Sequence, residues 1–177
     1  TALFGVIAIG ILEGLVIAVL LSLVILLYRA SRPNLAVLGR VPGQAGTYGD
    51  LGRAPENEII PGLLIVRPDA PLFFFNANVA RTMILDLVTA GKDPRAVILD
   101  IGATTDLDLT TVDMFRDLVT ELRDRKIDLI LAFARGPVRE RIRITGLCDS
   151  LDDRHIFLST EAAVQEYTRR FPGEESS

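Results

Sequence analysis

The chain has 177 residues, with 19 Lys and Arg, 23 Asp and Glu, one His, one Cys, no Trp and a formal charge of −4. This balance argues against a nucleic-acid binder held by a basic face. One Cys cannot close an internal disulfide or a multi-cysteine zinc site, and one His excludes the HExxH metalloenzymes. Hydrophobicity is concentrated at one end. Residues 1–28 carry a single charge, Glu13, which leaves all 19 basic and 22 of the acidic residues to a mildly acidic globular remainder. The first residue is Thr, so the chain reads as a piece of something longer or as a processed product.

Residues 3–27, LFGVIAIGILEGLVIAVLLSLVILL, predict a membrane-spanning helix. At 1.5 Å per residue the run reaches roughly 37 Å, enough to cross a hydrocarbon core of about 30 Å with tilt. It has no basic leader and no small-residue cleavage site, so it does not read as a signal peptide. Tyr28, Arg29 and Arg32 close it, which places the C-terminal side in the cytosol of a cell-membrane protein. Gly10, Gly14, Ala18 and Ser22 form a small-residue stripe that admits another backbone, and Glu13 is costly in hydrocarbon unless partnered or protonated. One helix of a polytopic bundle fits both features; a single-pass helix that dimerises is the alternative. For Glu13, helix packing is the preferred reading over transport chemistry.

Residues 31–61, rich in Pro and Gly, read as an extended connector with turns and short strand-like pieces such as residues 36–38. PGQAGTYGD lacks the Lys and the spacing of a P-loop. From Gly62 the pattern predicts short strands at 63–66 and 72–75, then a helix capped by Asn76 or Asn78 and stopped by Gly91. A buried strand at 96–100 follows, and then a helix striped by Val112, Phe115, Leu118, Val119 and Leu122. A second buried strand at 128–133 leads to a helix opened by Gly136-Pro137 and stopped near Gly146. A short strand at 155–158 and a helix capped by Ser159 or Thr160 end the domain. This alternation predicts an α/β fold: a small mixed or parallel sheet with helices mainly on one face and the opposite face exposed. The domains are residues 1–30, a transmembrane helix; 31–61, the connector; 62–172, the α/β domain; and 173–177, a frayed tail.

Chemistry is sparse. The chain has no GxGxxG after a strand, no GxSxG, no CxxC and no Ser-His-Asp set that His155 could anchor, so it is read as a non-enzyme with no cofactor or metal. His155 reads as a rim residue and Cys148 as a half-buried small hydrophobe. The unusual segment is 100–111, DIGATTDLDLTT, at the carboxyl end of a buried strand, where α/β domains place ligands. Asp106, Asp108, Thr110 and Thr111 crowd there. Capping of the next helix explains most of that pattern; a partner-docking or phosphorylation loop is the functional alternative. Arg135, Arg139, Arg141 and Arg143 read as a solvated face, with docking of an acidic partner or a phosphate as the alternative.

Taken in order, several stretches resemble the end of a SulP-family anion transporter, its last membrane helix followed by a STAS domain. They are Leu27-Tyr-Arg-Ala-Ser-Arg-Pro33, Val37-Leu-Gly-Arg-Val-Pro-Gly43, Pro61-Gly-Leu-Leu-Ile-Val-Arg67, Ala70-Pro-Leu72 with Asn76-Ala-Asn78, Asp106-Leu-Asp-Leu-Thr110 and Gly136-Pro-Val-Arg139. The resemblance implies secondary transport of an inorganic anion such as sulfate or bicarbonate, by symport with a cation or by exchange. The anion and coupling cation would be handled by membrane helices outside this sequence. It also implies a homodimer whose cytosolic STAS domains act in assembly and regulation, with a cytosolic protein as a further partner. In anti-sigma-factor antagonists with the same domain, the loop carries a phosphorylated Ser after an Asp. Here Asp108 takes the Asp position and Leu109 falls where the Ser would be, which fits the transporter branch. A single-pass signalling adaptor of the antagonist type is the alternative function.

Overall fold

The computed structural model describes residues 10–91, 94–147, 151 and 155–172. The chain divides into two compact units, Thr1–Arg32 and Pro33–Ser177.

The first unit contains helix α1, Ile11–Ala30. Its residues Leu12–Ala30 are long and apolar enough to cross a membrane, and none of that span is buried. The helix is apolar all round, as a membrane helix must be and a surface helix is not. Gly10 precedes it at φ 107 without a side-chain cap. At the other end the Ser31 hydroxyl donates to the Tyr28 carbonyl at 2.8 Å, and the Arg32 guanidinium lies 4.9 Å from the centre of the Tyr28 ring.

The second unit is a six-stranded sheet with helices on both faces. Its elements in order are β1 (Leu35–Arg40), β2 (Tyr48–Asp50), β3 (Leu63–Pro68), α2 (Ala77–Ala90), β4 (Ala96–Asp100), α3 (Leu109–Asp124), β5 (Asp128–Ala132), α4 (Gly136–Ile144), β6 (Ile156–Phe157) and α5 (Thr160–Arg170). The strand order is β2-β1-β3-β4-β5-β6. β1 runs antiparallel to β2 and β3, whereas β3 to β6 are parallel. From β3 the strands advance steadily in one direction, so right-handed crossovers put α2, α3 and α4 on the same face. Their apolar stripes meet Val66, Val97, Leu99, Leu129 and Leu131 in one core. All five residues of β4 are buried, as expected of a central parallel strand covered on both sides.

The opposite face is not left exposed. Helix α5 follows the last strand instead of joining two strands, so crossover handedness does not bind it. It packs Ala163, Val164 and Tyr167 onto Ile65, Ile98 and Ile130. Tyr48 closes this second core from β2, its hydroxyl donating to Glu161 Oε2 at 2.6 Å. Burial and then the Glu161 carboxylate push the Tyr48 phenol well above its ordinary range. The same hydrogen bond holds Glu161 below its own.

Three sequence expectations are corrected. The stretch 31–61 read as a connector holds β1 and β2, both hydrogen-bonded into the sheet. Some of its glycines serve close packing as well as turning: a Cβ on Gly39 would stand 2.8 Å from Leu51 Cδ2 and 3.0 Å from the Glu58 carbonyl oxygen. Residues 72–75, expected as a strand, form a turn whose amides bond to side chains. The 155–158 strand is shorter than expected, reduced to Ile156–Phe157. Cys148 and the tail from residue 173 lie outside the described residues.

Candidate functional site at the carboxyl end of the sheet

Strands β3, β4 and β5 all end at one edge of the sheet, where α/β folds place their ligands. The β4–α3 segment brings two of the expected residues into direct contact. Asp108 is the N-cap of α3, and its Oδ1 accepts from the Thr111 amide at 2.8 Å and from the Thr111 hydroxyl at 2.9 Å. Its Oδ2 accepts from the Phe74 amide at 2.6 Å. One carboxylate thus satisfies an orphan donor of the helix and ties the helix to the preceding crossover. Thr104, buried to 1% exposure, makes a parallel link by accepting from the Leu72 amide at 3.0 Å.

Within this cluster Thr111 is wholly buried, so its hydroxyl serves packing and the cap; the other members of the loop stand apart. Thr110 is exposed in the first turn of α3. Asp106 is largely exposed; its Oδ1 takes the Leu107 amide at 2.8 Å and faces Arg141 Nη2 at 3.7 Å. In the first unit, Glu13 is exposed and Gly10 and Gly14 are half-buried.

Of the two candidate caps of α2, Asn76 and Asn78, it is Asn76 that stands at the N-cap position, without a side-chain cap hydrogen bond. Its side chain instead closes the 72–75 turn, accepting from the Phe73 amide and donating to the Pro71 carbonyl, both at 3.0 Å. Of the four arginines read as a solvated face, Arg143 pairs with Glu140 at 2.5 Å and Arg141 faces Asp106. Arg135 and Arg139 are exposed. His155 lines a 310 Å³ cavity with Arg123, Lys126 and Asp128, and its Nε2 lies 2.7 Å from Arg170 Nη1.

One buried cluster escaped the sequence reading. On the α5 side of the same edge, Asp100 is 3% exposed. It accepts from Arg67 Nε at 2.7 Å, from the Gly102 amide at 3.0 Å and from the Thr160 hydroxyl at 3.4 Å. A signal was present: Arg67 and Asp100 are single charges near the ends of two apolar runs. The parallel register Val66↔Leu99 makes them the next pair along. Phe133, just past β5, is held at φ 58, a conformation bulky residues rarely adopt.

Comparison with known proteins gives this architecture its relatives. A STAS domain profile matches residues 54–163. The chain is 38% identical over 94% of its length to a probable sulfate transporter of Mycobacterium tuberculosis strain CDC 1551, of which it covers 30%. It is 32% identical over 98% of its length to sulfate transporter 1.3 of Arabidopsis thaliana, of which it covers 28%. The chain therefore spans less than a third of these curated relatives. Among solved structures, the murine Solute Carrier 26 family member A9 anion transporter, in its inward-facing state, superposes with a TM-score of 0.78 at 20% identity, over 89% of this chain and 26% of that one. The STAS domain of a Vibrio cholerae SulP transporter gives 0.55 at 15% identity, over 68% and 91%. The profile match, the sheet topology and these relatives agree: the chain belongs to the STAS domain family and is homologous to sulfate transporters over nearly its whole length.

Proposed function

We propose that the chain is the regulatory and dimer-forming C-terminal portion of a secondary active inorganic-anion transporter, with α1 as its last membrane span. The observation that carries this reading is that the alignment to sulfate transporters runs through the apolar helix into the sheet without a break in coverage. A STAS unit alone would match only from about residue 33 onward. In this reading the anion and its coupling cation are handled by membrane helices outside the sequence, and the STAS unit lies in the cytosol. Its role is assembly and regulation, through a second copy or a cytosolic protein. Glu13, Gly10 and Gly14 pack α1 against neighbouring spans. Asp106 and Thr110, exposed beside the Asp108–Thr111 cap, are the part of the loop a cytosolic partner can reach.

Phosphate control of the antagonist type is disfavoured by Leu109, which stands where the acceptor hydroxyl would be. The test is the size and activity of the native product. Membranes probed with an antibody against residues 160–177 should show a band several times heavier than 19.3 kDa. Cells making that product should take up labelled sulfate or bicarbonate, and deletion from residue 33 onward should reduce uptake. A band at the mass of this chain alone would overturn the transporter reading in favour of a membrane-tethered adaptor.

A further inference from the structure

Large apolar side chains stand exposed at the carboxyl edge of the sheet. Leu109 is 71% exposed, Phe74 62% and Phe75 44%, and Phe133 is exposed on the next loop. Phe74 and Leu109 are neighbours, because the Phe74 amide bonds to Asp108. Phe74 also stacks edge-on with Phe75 at 6.1 Å. Isolated surface apolar groups are ordinary, but neighbouring apolar side chains from two loops mark a contact surface.

Topology states where the chain enters the second unit. β1 is antiparallel to β3, with Leu35 opposite Pro68, so the chain comes into the second unit at the carboxyl end of β3. Asn34 fixes that point to the β3–α2 loop through two bonds with Asp69, side chain to side chain at 2.7 Å and amide to carbonyl at 2.9 Å. Four residues, 31–34, join α1 to β1, a reach of at most about 14 Å. In the reading of α1 as a membrane span, this short segment tethers the edge to the span.

Charge selects the occupant. Three acidic residues of this edge are engaged: Asp69 with Asn34, Asp108 with Thr111 and Phe74, and Asp106 opposite Arg141. Arg135 and Arg139, exposed at the start of α4, have no carboxylate within ion-pair distance among the described residues. The edge therefore offers aromatic and aliphatic groups beside two cations that no carboxylate pairs among the described residues. That combination suits the boundary of an anionic lipid surface, where apolar side chains sink several ångströms and guanidinium groups meet phosphates. We propose that this edge docks on the anionic phospholipid surface, with Phe74 and Leu109 at the acyl boundary and Arg135 and Arg139 on the headgroups. The proposal rests on the reading of α1 as a membrane span.

The absence of Trp makes a single introduced indole a unique reporter. The chain is reconstituted in nanodiscs of phosphatidylcholine and phosphatidylglycerol carrying brominated acyl chains. Three variants are compared: Phe74→Trp; Ile59→Trp, which lines a groove at the far end of the sheet; and Leu20→Trp, within α1. Emission from position 20 should be strongly quenched, that from position 74 by about half, and that from position 59 not at all. Adding Arg135→Glu and Arg139→Glu to Phe74→Trp should restore most of the lost emission. Quenching at 20 with none at 74 overturns the docking proposal and leaves the span intact. No quenching at 20 overturns the span and the proposal together. A blue-shifted but unquenched indole at 74 means a protein, such as a second copy, covers the edge, and it refutes the lipid assignment. Unchanged quenching in the charge-reversed variant refutes the role given to the headgroups.

Discussion

Replacing Asp108 with Ala removes three hydrogen bonds at once and so tests whether this carboxylate joins two crossovers. Loss of the N-cap bond to the Thr111 amide costs about 1–2 kcal/mol. The bond from the Phe74 amide, to an ionised acceptor but near solvent, adds about 1 kcal/mol. The sum, roughly 2–3 kcal/mol, is local to the 72–76 turn and the first turn of α3. Hydrogen exchange on the whole chain in detergent should therefore show faster exchange in peptides covering 70–78 and 104–114, by about thirty-fold or more. Peptides from β4 and β5 should change less. Asp108→Asn keeps one acceptor for the cap but turns an amide toward the Phe74 N–H, so only the 70–78 peptide should respond strongly. Asp106→Asn, which weakens an exposed 3.7 Å pair, should cost less than about 0.5 kcal/mol. The reasoning fails if Asp108→Ala leaves both peptides protected, or if it behaves like Asp106→Asn.

Three further outcomes follow from other parts of the second unit. Arg67→Ala leaves the Asp100 carboxylate buried with only the Gly102 amide and the Thr160 hydroxyl. Because Arg67 is partly exposed, the loss should be about 1–3 kcal/mol in denaturant unfolding, and Asp100→Asn in the same chain should recover part of it. Hydrogen bonds from Arg169 and Arg170 pull the Glu166 carboxyl down to about 2, so its contribution is present above pH 4.5 and is lost as pH falls toward 2. Thermal unfolding across that window should be less pH-dependent in Glu166→Gln; an identical slope would show the pairing to be energetically silent. Phe115→Ala empties a fully buried site in the larger core, and should cost about 3–5 kcal/mol by equilibrium unfolding.

The one-dimensional pattern was enough to read the apolar span, the buried parallel strands 96–100 and 128–132, and the stripe of α3. Each of these follows from local periodicity and composition, and tertiary context agreed with them. The Asp108 cap was legible for the same reason, since an N-cap and its helix are neighbours in sequence. Residues 35–50 are different. Glycines and prolines obscure the alternation of a short strand, and pairing of β1 with β3 and β2 supplies the hydrogen bonds that propensity does not. Residues 72–75 carry a strand-like apolar run, yet their amides bond to Thr104, Asn76 and Asp108, two of which lie more than thirty positions away. The Arg67–Asp100–Thr160 cluster arises only when register places two strand ends side by side and α5 crosses to the other face. Sequence determined the elements and their caps because those depend on near neighbours. Tertiary structure decided which apolar side chains stay exposed at the carboxyl edge, because exposure depends on what distant segments leave uncovered.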